Sequence, residues 1–293
     1  MKRLPLTVVG GYLGAGKTTL INRLLQAEHG LRLAVLVNDF GKINIDAALL
    51  RSARADTIEL TNGCVCCTMS GDLFYAIGDI LDRDTWPDHI IVEASGIADP
   101  AKIAAVALAE PDLRYAGIVT VVDGLNTPGY LTDPVISEQI KGQILGADLI
   151  ALSKTLANDF QVRRAFDQLG VKAWLATTDT SAIDAFLFSE INTPQPPLEG
   201  TSTHLDYVQW SDPNPAPTTI SDLEQRVSCA PKNILRVKAI VPSGADHFWE
   251  IHLVGDQKTI TQRPAEGQTG AIALGLKGRI TVEEIASWWL SRP

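Results

Sequence analysis

From residue 4 to about residue 188 the chain alternates short apolar runs, rich in β-branched residues, with longer amphipathic stretches. Thr7-Val8-Val9, Leu33 to Val37, His89 to Val92, Ile118 to Val122 and Leu149 to Leu152 read as strands, with Val171 to Leu175 as a further one. Runs that are apolar at successive positions suit a parallel sheet covered on both faces. Between them, Leu20, Ile21, Leu24 and Leu25 share one helical face, and so do Phe74, Ile77, Ile80 and Leu81. The alternation predicts an α/β domain with a mostly parallel sheet and helices on both faces.

The pattern changes after Ile191. Pro194, Pro196, Pro197, Pro213, Pro215 and Pro217 crowd a polar stretch whose one strand candidate is Leu205 to Trp210. Beyond it the periodicity predicts a helix near Thr219 to Cys229. Strands follow near Ile234 to Val241, Phe248 to Val254, Lys258 to Thr261 and Ala271 to Leu276. Thr281-Val282-Glu283-Glu284 has the spacing of a capping box that opens a last helix through Trp288 and Trp289. The expected division is therefore 1–190 for the α/β domain, 191–203 for a proline-rich linker and 204–293 for a smaller α+β domain.

Composition narrows the function. The 293 residues exceed one ordinary core, and 45% apolar with 20% charged residues is a globular balance. The net charge of −9 (25 basic against 34 acidic residues) repels phosphate backbones and excludes a general nucleic-acid binder. No apolar run approaches the ~20 residues of a membrane-spanning helix, so no membrane partner is expected. Met1-Lys2-Arg3 and the apolar stretch after it have the outline of a secretion signal. Gly10, Gly11 and Gly14 interrupt it and Lys17 closes it, so the reading is a cytoplasmic protein.

Gly11-Tyr12-Leu13-Gly14-Ala15-Gly16-Lys17-Thr18 matches G-x-x-x-x-G-K-[ST] and stands between a strand and a helix, the context that this phosphate-binding loop needs. Converging backbone N–H groups and a helix dipole make an anion cradle, with Gly11, Gly14, Ala15, Gly16, Lys17, Thr18 and Thr19 as its candidates. Lys17 would reach the β- and γ-phosphates, and the Thr18 hydroxyl would ligate Mg²⁺. Ile90 to Gly96 is an apolar strand ending in Glu93, with Gly96 three residues on. That carboxylate can hold a metal-bound water, and the glycine N–H can meet a γ-phosphate. Such a loop also occurs in kinases of small metabolites, which keeps that reading open.

Gly63-Cys64-Val65-Cys66-Cys67-Thr68 places three sulfurs at i, i+2 and i+3. Thiolates are soft donors that favour Zn²⁺, Cu(I) and neighbouring late metals. A redox pair and plain packing compete with the metal reading, and spacing and softness favour metal. Cys229 stands alone in the second domain and reads as a core residue, and the five histidines form no run.

Together these residues resemble the CobW-type metallochaperone GTPases, a family that includes nitrile hydratase activators and zinc-handling members. The resemblance rests on Gly11 to Thr19, Val37-Asn38-Asp39-Phe40-Gly41, Gly63 to Cys67, Val121-Val122-Asp123 and Glu93-Ala94-Ser95-Gly96-Ile97-Ala98-Asp99-Pro100. It implies a P-loop GTPase domain with a smaller C-terminal domain, and a metal carrier switched by Mg²⁺-nucleotide. It also implies metal ligands at Cys66 and Cys67, with Cys64 or Asp39 as the third, and a client apo-metalloprotein as partner. Asp46 would serve Mg²⁺ or the attacking water. Slow intrinsic turnover follows from the lack of an arginine finger in cis. One departure stands out: where the family carries Asn-Lys-x-Asp, this chain has Ser153-Lys154-Thr155-Leu156. Lys154 can still stack on a base, but Leu156 accepts no hydrogen bond, so GTP is the expected nucleotide and ATP the alternative. A regulatory nucleotide binder with relaxed base specificity stays open, as does the choice between monomer and homodimer.

Overall fold

In the computed structural model, which describes residues 3–27, 29–37, 56–59, 69–154, 160–188, 207–243, 247–254, 257–265 and 269–291, the apolar runs of the first part join one sheet. Its strands are β1 (Leu4–Gly10), β2 (Leu33–Val37), β3 (Asp56–Glu59), β4 (His89–Glu93), β5 (Leu113–Asp123), β6 (Leu149–Ser153) and β7 (Leu175–Ala176). They lie in the order β3-β2-β4-β1-β5-β6-β7, and every pairing is parallel. The helices of this unit are α1 (Lys17–Gln26), α2 (Met69–Leu81), α3 (Pro100–Ala109), α4 (Thr127–Tyr130), α5 (Ser137–Leu145), α6 (Phe160–Leu169) and α7 (Thr180–Phe188).

Neighbouring residues of β1 enter different cores, as the pleat requires. Val8 packs with Leu36, Val92, Ile77 and Ile103 on one face, and Val9 with Val35, Leu20, Leu24 and Ile183 on the other. The expected two-faced α/β sheet is the observed one. From β1 the chain first builds outward through β2 and β3 and returns to β4, then crosses β1 to form β5 on its other side. A crevice therefore opens at the carboxyl end of β1, where parallel sheets of this kind bind ligands.

Three local expectations change. Only Leu175 of the Val171–Leu175 run joins a strand. Gly170 at φ 74° and the Val171 N–H bonded to Phe166 O end α6, and the following residues return the chain to the sheet. Phe74 is exposed, because Leu73, Ala76, Ile77 and Ile80 form the buried stripe of α2. The edge strand β3 has two acidic ends around Thr57 and Ile58, too little apolar pattern to announce it. His89, the one fully buried histidine among the described residues, is a packing element. Its Nε2 lies 2.8 Å from Thr7 Oγ1, and burial, aided by Arg114, holds its pKa down at about 3.

The second unit is a five-stranded antiparallel sheet in the order β11-β10-β9-β12-β8. Its strands are β8 (Tyr207–Asp212), β9 (Ile234–Pro242), β10 (His247–Val254), β11 (Gln257–Pro264) and β12 (Gly270–Leu276), with helices α8 (Ile220–Ser228) and α9 (Val282–Leu290). Leu223, Val227, Ile285, Trp288 and Trp289 of the helices pack on Val237, Ala239, Ile251 and Ala273 of the sheet. The capping box is present: Thr281 Oγ1 accepts from Glu284 N, and Glu284 Oε2 accepts from Thr281 N. Cys229 is exposed at the end of α8 rather than buried, because the helix turns its stripe of Leu223 and Val227 inward and ends there. The proline-rich linker at 191–203 lies outside the described residues.

Candidate functional site

The loop between β1 and α1 is shaped by glycines that no other residue could replace. Gly11 has φ 129°, and a Cβ on it would lie 2.2 Å from Val121 O of β5. Gly16 precedes α1 at φ 102°, so the first turn of that helix aims its N–H groups back at the loop. Lys17 is 4% exposed, and its ammonium donates to Gly11 O at 2.9 Å and to Tyr12 O at 3.4 Å. A full positive charge therefore sits inside a cradle of amide donors, the electrostatics that a polyphosphate needs.

The next residue makes the second connection. Thr18 Oγ1 donates to Glu93 Oε1 at 2.8 Å, and Glu93 is buried at the carboxyl end of β4. A hydroxyl and a carboxylate side by side at a phosphate cradle form a hard-oxygen pair suited to Mg²⁺. Thr19 faces outward from α1.

Beyond Glu93, the turn Ser95–Ala98 closes with Ala98 N donating to Ser95 O at 3.0 Å. Gly96 within it is pressed on the loop: a Cβ there would lie 2.8 Å from both Leu13 N and Leu13 Cα. Asp99 then caps α3 by accepting from Ala101 N. Gly96→Ala is expected to destabilise the chain by about 1–3 kcal/mol, since backbone at that distance must move. Gly78→Ala in α2 meets open space and is expected to be neutral or stabilising by up to about 1 kcal/mol. Urea unfolding of the two variants checks this pair.

On the other side of the loop, Ser153 Oγ donates to Ala15 O at 2.6 Å, with Val122 O at 3.2 Å, so its hydroxyl braces the cradle from β6. Lys154 takes the left-handed conformation (φ 63°), and its ammonium reaches Asp123 Oδ2 at 2.7 Å. Asp123 is itself held by Leu125 N, Asn126 N and Asn126 Nδ2. The Lys154 side chain, about a quarter exposed at 26%, carries an aliphatic stem on which a base can stack.

Thus Gly11, Gly14, Ala15, Gly16, Lys17, Thr18, Glu93, Gly96, Ser153 and Lys154 converge at one end of the sheet. Cys64, Cys66, Cys67, Asp39 and Asp46 lie outside the described residues, as do Thr155 and Leu156. Among the described residues no three His, Cys, Asp or Glu side chains gather as a metal site, and no helix is long and apolar enough to cross a membrane. Two residues escaped the sequence reading. Gln139 and Gln143, buried on α5, hold the carbonyls of the Gly96 turn. The signal for them was two amides four residues apart on the face that also carries Ile140 and Ile144.

Residues 5–169 match the family model of the CobW/HypB/UreG nucleotide-binding domain. The zinc chaperone CobW of a Sinorhizobium species is 38% identical over 182 residues, covering 52% of this chain and 51% of that one. The zinc chaperone YjiA of Escherichia coli K12 is 34% identical over 163 residues, covering 53% and 50%. The chain thus spans about half the length of these curated relatives. The crystal structure of Zn(II)-bound YjiA GTPase from E. coli aligns over 98% of both chains at 18% identity, with a TM-score of 0.43.

Proposed function

Because the chain belongs to the CobW/HypB/UreG family, we propose that it is a metallochaperone that hydrolyses a nucleoside triphosphate, GTP before ATP. In this reading it carries a thiophilic metal, zinc first among them, to a client metalloprotein in the cytoplasm, as a monomer or a homodimer. The observation that carries the proposal is the part-buried pairing of Thr18 with Glu93, at the helix start that also holds the Lys17 ammonium on the Gly11 carbonyl. It couples the phosphate cradle to the strand end from which the Gly96 turn departs.

The residues fit Mg²⁺-nucleotide. The left-handed glycines Gly11, Gly14 and Gly16 put no side chain on the loop, and Thr18 and Glu93 would offer the oxygens that hold Mg²⁺ or its water. When bound, that group supplies the phosphoryl centre and the metal that screens its charge. The chain's own part is positioning and charge. Lys17 would exchange loop carbonyls for phosphate oxygens, Glu93 would hold a metal-bound water, and Gly96 would offer its N–H to the terminal phosphate. Lys154 lays its stem under the base. With Leu156 where a carboxylate would read guanine, discrimination between GTP and ATP is modest, and turnover without a client is slow. Cys66 and Cys67, with Cys64 or Asp39, hold the cargo metal as soft donors. Residues 1–190 form the switching domain, 191–203 the linker and 204–293 the second domain.

The test is phosphate release by the purified chain with GTP and with ATP, with and without Zn²⁺, alongside the affinity for each nucleotide. The expected result is GTP hydrolysis that changes on adding Zn²⁺, with one metal bound per chain or per chain pair. An ATP preference replaces the nucleotide in this reading. Phosphate transfer only to an added metabolite, with no bound metal, replaces the reading by a kinase.

A further inference from the structure

Helix α5 turns a polar face inward where an apolar one would pack more cheaply. Gln139 and Gln143 are 6% and 4% exposed, and they alternate with Ile140 and Ile144 on the buried side. A buried amide is costly unless it is hydrogen-bonded. Here each amide has a specific use. Gln139 Nε2 donates to Ile97 O at 2.7 Å. Gln143 Nε2 donates to Ala98 O at 2.9 Å, with Gly96 O at 3.3 Å. Three successive carbonyls of the turn after Glu93 therefore point at one helix. The helix is in turn tied to the sheet, because the buried Thr120 Oγ1 of β5 donates to the Gln143 carbonyl at 2.9 Å.

Peptide planarity turns this into an orientation argument. A carbonyl directed at α5 sends the N–H of the same plane the opposite way. The amides of Gln139 and Gln143 thus set the planes from Gly96 to Asp99, and the Ala98–Ser95 bond sets the plane that carries the Gly96 N–H. On the far side Leu13 leaves no room for the turn to retreat. The turn is held between α5 and the phosphate loop.

We propose that Gln139 and Gln143 are positioning residues for the terminal phosphate: they hold the Ser95–Ala98 turn so that the N–H groups of Gly96 and Ile97, and not that of Ala98, which closes the turn on Ser95 O, meet a triphosphate and not a diphosphate. This rests on the nucleotide reading above but not on turnover or on metal carriage. Removing the amide donors therefore leaves diphosphate binding intact and weakens the response to the third phosphate.

The experiment compares Gln143→Leu, Gln139→Leu and Gln143→Asn with the native chain and with Ile144→Val, a packing change on the same buried face. Affinities for GDP and for a non-hydrolysable GTP analogue are measured by calorimetry with Mg²⁺, together with kcat, KM and unfolding midpoint. The native chain is expected to prefer the triphosphate analogue. Gln143→Leu should lose about tenfold of that preference and of kcat, as loss of an aligned donor does, with GDP affinity within twofold. Gln139→Leu should show a smaller loss, and Gln143→Asn should recover part of it. Ile144→Val should lower the midpoint and leave the triphosphate preference alone. Equal GDP and GTP-analogue affinities in the native chain overturn the proposal, as does a Gln143→Leu protein that keeps its preference or loses GDP in parallel. A native chain that prefers the triphosphate but never turns it over overturns the hydrolysis reading and leaves the positioning role standing.

Discussion

Lys17→Ala is expected to lower phosphate release from GTP by about a hundredfold or more, the usual cost of removing a principal electrostatic stabiliser from a phosphoryl or acyl site. The reason lies in where the ammonium sits. Lys17 is almost wholly buried, held by the carbonyls of Gly11 and Tyr12 at the mouth of α1. In so dry a place a charge acts with little screening, so its effect on a developing phosphate charge is far larger than at the surface. The glycines and helix N–H groups remain in the variant, so diphosphate affinity should fall much less than kcat. Lys17→Arg should not rescue it, because the planar guanidinium does not fit a pocket shaped round a compact ammonium. Phosphate release under saturating nucleotide, beside calorimetric titration with GDP, separates the two effects. Activity within threefold of the native chain would place the chemistry somewhere other than this cradle.

How much of this site could be read in advance depended on whether a residue's role is local. The loop shape of Gly11 to Thr18 was legible because left-handed glycines announce a tight turn and the lysine is held by carbonyls of that same turn. Glu93 was legible too, since an apolar strand that ends in a carboxylate points that group at the ligand end of a parallel sheet. The strands and last helix of the second α+β unit were legible from its apolar runs and from the Thr281 capping box, again local features, while the antiparallel order of its sheet was not. Other roles were set by distant partners. Ser153 stood as a base-side residue in the sequence, and its hydroxyl is engaged with Ala15 O, across the sheet from β6. Nothing along the chain says which carbonyl the amide of Gln143 will meet. Phe74 and the Val171–Trp174 stretch show the same limit: apolar residues beside a helix stripe or after a helix end are placed by what packs around them.

The double change Cys66→Ala with Cys67→Ala is expected to abolish tight zinc binding and to leave nucleotide affinity within twofold. Structural zinc sites with four ligands gain roughly 10–16 kcal/mol, about 2.5–4 kcal/mol for each ligand, so the loss of two weakens binding by roughly ten-thousandfold to a millionfold. The remaining Cys64 and Asp39 offer one soft and one hard donor, a pair that does not hold zinc against water at micromolar concentrations. Cys67 is two residues before α2 begins at Met69, and the nucleotide groups belong to other segments. No residue of the cradle is changed by the substitution. Competition against a chromophoric chelator at fixed pH reads the metal affinity, and the pH must be held because each thiol loses a proton on binding. In the native chain the same titration repeated with GDP and with a GTP analogue measures the coupling. A carrier needs the two values to differ, and the metal must then alter nucleotide affinity by the same factor. Zinc affinity within threefold of the native value in the double variant would move the cargo off these sulfurs and end the carrier reading, while the nucleotide site would stand.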